Sequence, residues 1–156
     1  MMTQWEPAKP LALIINGPNL NLLGVREPAI YGSESLRDVE REVARSAERL
    51  GWDAEFLQSN HEGALIDAIH AARGRASGIV LNPGGLTHTS VALRDAVVSA
   101  DVPTIEVHVS NIHSREAFRD HSFISGVARS VIVGAGTLGY GLALEILAHD
   151  RLERSA

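Results

Sequence analysis

Short apolar runs alternate along the chain with longer segments in which apolar residues recur every three or four positions. A continuous apolar run is typical of a strand buried on both faces of a sheet, whereas the longer period marks one face of a helix. One such helical face begins after Ser35, a suitable N-cap, with Leu36, Val39 and Val43. Gly51 is expected to end that helix. The pattern predicts strands at 11–15, 54–57, 78–81, 103–107 and 130–133, and helices at 35–50, 62–73, 87–100 and 138–148.

The order of these elements predicts the fold class. Strands and helices alternate, and βαβ units of this size build parallel sheets that are covered by helices. Five such strands favour an α/β fold with a flavodoxin-like, doubly wound five-stranded parallel sheet and helices on both faces. We expect a single domain over residues 1–156, in which residues 1–10 are a flexible N-terminal tail. Segment 109–121 has no clear period and is expected to hold at most a short helix after Ser114.

Charge and composition argue against several classes of partner. The 156 residues carry a formal net charge of -5 and no run of Lys or Arg, which disfavours nucleic acid and anionic membranes. The apolar run near the N-terminus is too short for a signal peptide or a membrane span. The absence of cysteine removes disulfides, thiolate catalysis and cysteine-ligated metal, and it fits a cytoplasmic protein.

Polar residues collect directly after the predicted strands. The longest connection, 16–32, is rich in Gly, Pro and Asn and has no regular period, which is uncommon in a compact domain outside functional loops. Because the carboxyl ends of parallel strands meet at one edge of a sheet, such residues predict a polar pocket there. The alternative is that loops are simply polar, which the repeated Asn and His disfavour. The residues concerned are Asn16, Asn19, Asn21, Arg26, Tyr31, Gln58, Asn60, His61, Asn82, His88, His108, Ser110, Asn111 and His113.

Glu106 and His108 are candidates for proton transfer. The alternation of side chains along a strand places both on the same face. Glu106 can then hold one imidazole nitrogen and fix the tautomer, which leaves the other nitrogen for acid–base work. The alternative is a Glu–His pair that only closes the strand end.

Arg26 and Tyr31 lie together on the long first loop. A free tyrosine has a pKa near ~10 and is a poor base at neutral pH, but a nearby guanidinium favours the phenolate. The two residues either act together as a catalytic base, or Arg26 is solvated and Tyr31 anchors the loop on the core.

Two glycine-containing turns are typical of anion or nucleotide sites. Residues 82–90, NPGGLTHTS, form a glycine turn that runs into a helix start rich in Thr and Ser. The free N–H groups there either bind an anion or are capped by these side chains. Residues 134–139, GAGTLG, match the dinucleotide fingerprint, but the βαβ unit that the fingerprint requires is not predicted. These glycines are instead expected to permit a tight turn and close helix–sheet packing.

A catalytic zinc site is disfavoured. His61 and Glu62 begin a protease-like motif, but Leu65 stands where the second His is needed. His108 and His113 lack a third ligand in a fixed pattern, and catalytic zinc usually takes three protein ligands.

Four motifs in order resemble type II 3-dehydroquinate dehydratase. They are INGPNLNLLG followed by REPAIYG, then QSNHEG, then NPGGLTHTSVALRDA, and then IEVHVSNIHSREAFRDHS. The closing VIVGAGTLGYGLAL stretch fits as well. The resemblance covers residues 11–147 or thereabouts, and the joint occurrence of the motifs at these spacings is far more specific than any one of them. No functional position departs from the family pattern.

The resemblance implies a lyase of the shikimate pathway that converts 3-dehydroquinate to 3-dehydroshikimate by anti elimination through an enolate. Tyr31 is implied to be the base that takes a proton from C2, and Arg26 to keep it ionised. Asn19 is implied to orient a water that stabilises the enolate. His108, held by Glu106, is implied to protonate the departing C1 hydroxyl. This division of labour suits the reaction, since an enolate needs stabilisation and hydroxide is a poor leaving group.

The resemblance also implies how the substrate is bound. The backbone N–H groups of Val109 and Ser110 and the side chain of Asn82 are implied to bind the substrate carboxylate. Arg119 and His88 are implied to hold ring hydroxyls.

Assembly is implied to complete the site. Asp95 is expected to reach in from a neighbouring subunit, because the family forms a homo-dodecamer, a tetramer of trimers. Neither a metal nor an organic cofactor is implied. The alternative from the residues alone is a non-catalytic nucleotide- or phosphate-binding module on the same fold, for which the GAGTLG turn is the one support.

Overall fold

A computed structural model describes residues 8–25, 29 and 32–156 of the chain, which form five strands and four α-helices in alternating order. The strands are β1 (Leu11–Asn16), β2 (Asp53–Gln58), β3 (Gly78–Asn82), β4 (Thr104–His108) and β5 (Ser130–Val133). The helices are α1 (Leu36–Leu50), α2 (Glu62–Ala72), α3 (Val91–Ala100) and α4 (Leu138–Ser155).

The five strands form one parallel sheet in the order β2-β1-β3-β4-β5. Ile14 of β1 pairs with Phe56 of β2 on one side and with Val80 of β3 on the other. This strand order is the flavodoxin-like one, and the predicted fold class is confirmed. The order reverses between β1 and β3, and ligand crevices of such sheets open at the carboxyl ends of the strands at that point.

Alternate residues of the central strands contribute to two separate cores. Ile14 and Val80 pack beneath α1 and α4, whereas Ile15 and Leu81 pack beneath α2 and α3. All four side chains are fully buried. The central strands are therefore apolar without interruption because helices cover both faces of the sheet.

The first helix begins at the predicted N-cap. The Ser35 hydroxyl accepts a hydrogen bond from the Asp38 N–H at 3.2 Å, and the Asp38 carboxylate accepts one from the Ser35 N–H at 2.9 Å. Hydrogen bonds from Ser35, and then from Arg41, lower the pKa of Asp38 to about 2. Gly51 ends the helix with a φ of 73°, a left-handed conformation that favours glycine.

The predicted start of the third helix is wrong. Gly84–His88 forms a 3-10 turn instead, and α3 begins only at Val91. The reason is Ser90, whose hydroxyl accepts a hydrogen bond from the Leu93 N–H at 2.8 Å and so caps the helix. The capping alternative for residues 82–90 therefore describes this helix start.

Of two further segments, the last helix differs from its predicted end and segment 109–121 holds the short helix expected there. The last helix continues to Ser155 rather than ending at Ala148, because its polar final turns are exposed and contain good helix formers. Segment 109–121 holds two short 3-10 helices, Ile112–Ser114 and Ala117–Arg119, and the second is the short helix expected after Ser114.

Some predictions fall outside the described residues. Arg26 and Tyr31 do so, as do residues 1–7 of the expected tail. At the end of that tail the Pro10 carbonyl accepts a hydrogen bond from the Asp53 N–H at 2.9 Å, which joins it to the edge of the sheet. Within the described part of the chain, no helix has the length and apolar character needed to span a membrane.

The carboxyl ends of β1 and β3 approach too closely for a side chain between them. The Gly17 N–H donates to the Asn82 carbonyl at 2.8 Å. A Cβ atom at Gly17 would lie 2.3 Å from the Pro83 carbonyl oxygen. Because the obstructing atoms are backbone, no rotamer change relieves the clash. This contact sets the spacing between the first loop and the turn after β3.

We expect Gly17→Ala to lower the free energy of unfolding by about 1–3 kcal/mol, the usual range for overpacking. Gly63→Ala is the matched control, because Gly63 lies in α2 and a Cβ there meets no atom within 4 Å. The control should raise the free energy of unfolding by about 0.5–1 kcal/mol, since alanine favours a helix over glycine. Urea denaturation measures both changes. A Gly17→Ala variant that is as stable as the Gly63→Ala variant would contradict the role given to Gly17.

Candidate active site

Buried hydrogen bonds join the ends of β1 and β3 to α4. The fully buried Tyr140 hydroxyl donates to Asn16 Oδ1 at 2.6 Å and accepts from Asn82 Nδ2 at 2.9 Å. Asn82 Oδ1 accepts from the Gly84 N–H at 3.1 Å. Burial raises the pKa of Tyr140 far above its ordinary value of 10, so the phenol remains protonated. The network fixes the orientation of the Asn82 amide and leaves its second N–H for other partners.

Strand β4 ends in an acid–base pair. Glu106 has no exposed surface and His108 is 4% exposed. The His108 Nε2 atom lies 2.6 Å from Glu106 Oε1, so the contact predicted from strand alternation is present. A proton on Nε2 directed at the carboxylate leaves Nδ1 available to another partner.

Two serines from the segment before β5 complete the hydrogen bonding of Glu106. Ser122 Oγ donates to Oε1 at 2.6 Å, and Ser125 Oγ donates to Oε2 at 2.5 Å. Burial alone would raise the pKa of Glu106, but hydrogen bonds from His108, Ser122 and Ser125 outweigh burial and hold that pKa below its ordinary value of 4.5. Glu106 is therefore a carboxylate that accepts a hydrogen bond from His108 Nε2.

The turn that carries Asn19 is held by the end of β2. Asn19 has a φ of 69°, a left-handed conformation in which Asn is enriched among residues other than glycine. Its N–H donates to Asn60 Oδ1 at 2.9 Å. Gln58 Nε2 donates to the same oxygen at 3.1 Å and to the Gly17 carbonyl at 3.3 Å. Gln58 and Asn60 therefore position the first loop where it leaves β1.

The loop after β4 supplies two guanidinium groups. Arg115 Nη2 donates to Ser110 Oγ at 2.6 Å. Arg119 Nε and Nη2 donate to the two carboxylate oxygens of Glu116 at 2.6 and 3.0 Å. Both arginines line the same cavity, so the local charge suits an anionic ligand although the chain as a whole is acidic.

A cavity of about 150 Å³ opens at the carboxyl edge of the sheet and brings these groups together. The predicted site residues that line it are Asn19, Asn82, His88, His108, Val109, Ser110 and Arg119. His88 is fixed by its Nδ1 atom, which lies 2.6 Å from the His121 carbonyl oxygen. Glu106 reaches the cavity through His108. Asp95 lies on the exposed face of α3 and does not line the cavity of its own chain.

The last glycine of the GAGTLG turn has a packing role in the structure. A Cβ atom at Gly139 would lie 3.2 Å from Val107 Cγ1 and 3.3 Å from Ile132 Cγ2. Helix α4 thus packs directly on β4 and β5, as expected for glycines at this turn.

Comparison with known proteins identifies the family. The family model described as dehydroquinase class II matches residues 10–148. The chain belongs to this family. The protein named 3-dehydroquinate dehydratase 1 of Corynebacterium efficiens is 60% identical over 144 residues, which are 92% of this chain and 95% of that protein.

Solved structures of two family members are similar throughout. The type II dehydroquinase of Butyrivibrio crossotus has a TM-score of 0.86 and 43% identity, covering 89% of this chain and 97% of that one. The type II dehydroquinase of Propionibacterium acnes has a TM-score of 0.86 and 40% identity, covering 91% of this chain and 99% of that one. The fold described here is therefore the fold of these family members.

Three residues that shape the site were missed by sequence reasoning. Tyr140 lies in an apolar helix far along the chain from its partners. The sequence around it is that of an ordinary core segment. Ser122 lies within the fourth family-like motif, which was the one available signal, but no role was assigned to it. Ser125 follows that motif. Only the folded arrangement shows that both serines contact Glu106.

We expect Tyr140→Phe to lower the free energy of unfolding by about 1–3 kcal/mol, because it leaves buried polar atoms of Asn16 and Asn82 without a partner. It should also raise KM, since the Asn82 amide is no longer fixed. Leu144→Met in the same core is the control and should change stability less, since volume-conserving swaps are tolerated. Urea denaturation and steady-state kinetics measure both effects, and an unchanged free energy of unfolding would contradict the network's role.

Proposed function

We propose that this chain dehydrates 3-dehydroquinate to 3-dehydroshikimate in the shikimate pathway, by anti elimination through an enolate. The observation that carries the proposal is the buried Glu106–His108 pair opening on a polar cavity in a chain of the dehydroquinase class II family. Relatives as much as 60% identical bear the name 3-dehydroquinate dehydratase.

The proton next to the ketone is taken by Tyr31 in this proposal. Tyr31 and Arg26 lie outside the described residues, and the REPAIYG motif supports their roles. A guanidinium beside the phenol favours the phenolate and so makes a base that works near neutral pH.

Asn19 and His108 act on the enolate oxygen and on the departing hydroxyl, respectively. Asn19 orients a water toward the enolate oxygen, and its position on the rim of the cavity supports this role. His108 gives a proton to the departing C1 hydroxyl from Nδ1, while Nε2 remains directed at Glu106. The Glu106 carboxylate stabilises the protonated imidazole of His108 before this proton is transferred.

Substrate binding uses the loops after β3 and β4. The N–H groups of Val109 and Ser110, together with the Asn82 amide, bind the substrate carboxylate. Arg119 and His88 hold ring hydroxyls. The support is that all five residues line the one cavity.

Assembly and location are part of the same proposal. The chain acts as one catalytic domain within a homo-dodecamer, a tetramer of trimers, in the cytoplasm. Asp95 serves the cavity of a neighbouring subunit, and its exposure on α3 away from its own cavity is consistent with that role.

The reaction is tested by ultraviolet absorbance with 3-dehydroquinate and no added metal or nucleotide. Absorbance should rise, because the product is a conjugated enone and the substrate is not. Tyr31→Phe and His108→Gln should each reduce turnover by about 10²–10⁴-fold, the usual contribution of a general base or acid. His149→Gln, at an exposed position of α4, is the control and should leave the rate unchanged. A flat trace from folded protein would refute the activity, and a Tyr31→Phe variant that keeps most activity would refute the base.

The role of Arg26 is tested by the pH dependence of the rate. We expect Arg26→Gln to move the rise of kcat toward higher pH, because without the guanidinium the phenol of Tyr31 ionises at a higher pH. Arg154→Gln, at the end of α4, is the control. An unchanged pH profile for Arg26→Gln would separate Arg26 from the ionisation of the base.

A further inference from the structure

We propose that Ser122 and Ser125 are positioning residues for the reaction, which keep Glu106 an acceptor-only carboxylate and thereby fix the proton on His108 Nε2. This inference rests on the proposed role of His108 as the acid. It adds two residues that act on the reacting proton through Glu106 and His108 and touch no substrate atom.

Both oxygens of Glu106 are occupied by donors. Oε1 lies 2.6 Å from His108 Nε2 and 2.6 Å from Ser122 Oγ, and Oε2 lies 2.5 Å from Ser125 Oγ. Glu106 has no exposed surface. A buried carboxylate with fewer donors would take up a proton, since desolvation disfavours the charge.

The hydroxyl of Ser122 can only donate to Glu106. Its oxygen accepts hydrogen bonds from the Ile124 N–H at 3.0 Å and from the Ser125 N–H at 3.1 Å. A serine hydroxyl has two acceptor lone pairs and one hydrogen, so that hydrogen is directed at Oε1. Oε1 therefore receives two hydrogen bonds and has no room for a proton of its own.

Ser125 is the donor to the second oxygen of Glu106. Its hydroxyl donates to Oε2 at 2.5 Å. A hydrogen bond to a charged oxygen is stronger than one to a neutral carboxylic acid, so this donor favours the ionised form of Glu106. Its removal leaves Oε2 without the donor seen here, whereas Ser122 also closes a turn. Ser125 is therefore the cleaner position for a substitution.

The segment that carries the serines is held in place independently of Glu106. The Phe123 N–H donates to the Thr87 carbonyl at 2.9 Å, and Arg94 Nη1 donates to the Phe123 carbonyl at 2.7 Å. Ile124 is fully buried in the core beneath α2 and α3. Loss of the Ser125 hydroxyl should therefore leave the backbone where it is.

The ionisable groups near Glu106 are few among the described residues. On its own strand His108 contacts it directly. From α3, Arg94 approaches the same segment, but its guanidinium binds the Phe123 carbonyl rather than the carboxylate. The serines are hydroxyls that do not titrate in the assay range. In the proposed mechanism Tyr31 sets the rise of kcat with pH in the wild type and in the serine variants alike, so a difference between their pH profiles reports on Glu106 and His108.

The test compares Ser125→Ala, Ser125→Thr and Ser99→Ala by kcat and kcat/KM across pH. Ser125→Ala should lose about 10- to 100-fold in kcat with little change in KM, the effect of one hydrogen bond to a charged group. Its loss of kcat should be greatest at acid pH, because loss of a donor raises the pKa of Glu106 and lets the carboxylate take up a proton at a higher pH. Ser125→Thr keeps the hydroxyl and should restore both kcat and its pH dependence to those of the wild type. Ser99→Ala removes an exposed hydroxyl on α3 that bonds the Asp95 carbonyl, and it should match the wild type.

A double variant separates positioning from a general structural effect. In the Glu106→Gln background, Ser125→Ala should change kcat by less than about twofold, since the charge that it maintains is already absent. Equal losses in both backgrounds, or an unchanged pH profile for Ser125→Ala, would overturn the inference. His108→Gln distinguishes this failure from that of the proposed function. If His108→Gln is inactive while Ser125→Ala behaves as the wild type, only the role of the serines fails; if His108→Gln is active, the acid itself is misassigned.

Discussion

A carboxylate without exposed surface must be satisfied by donors within the protein, and Glu106 imposes this requirement at the end of β4. One donor comes from His108 on the same strand, and two come from the segment just before β5. The chain between them must therefore fold back over the strand end. That return path closes residues 109–119 into the loop that lines the cavity with Ser110 and two arginines. The Glu106–His108 pair and the loop over residues 109–119 thus depend on one buried charge.

The same principle operates at the ends of β1 and β3. Asn16 and Asn82 are buried, and the Tyr140 hydroxyl from α4 satisfies both. A neutral phenol is suited to this position because it donates to one amide and accepts from the other. Each network links a strand end to a distant part of the chain. The geometry of the cavity is thereby tied to the packing of the helix on the sheet rather than to the loops alone.

The fold and much of the cavity could be predicted from the sequence for identifiable reasons. Apolar runs report burial on both faces, and the parallel order brings Asn82 and His108 to one edge without any knowledge of contacts. The start of α3 was mispredicted because Thr87 and Ser90 are both plausible caps, and only tertiary context selects Ser90. Tyr140, Ser122 and Ser125 could not be predicted because their importance lies in partners 16 to 124 positions away. Periodicity carries no information about such pairs.

The sheet divides into an apolar part and a polar end. Ile14, Val80 and Ile105 are fully buried among apolar neighbours, while Asn16, Asn82 and His108 occupy the last positions of their strands. The residues that supply most of the hydrophobic stabilisation are therefore different from the polar residues at the strand ends, of which Asn82 and His108 line the cavity. Over evolutionary time, the strand ends can be exchanged for other side chains while the core is preserved. A scaffold of this kind can diversify its chemistry at its rim and retain its fold.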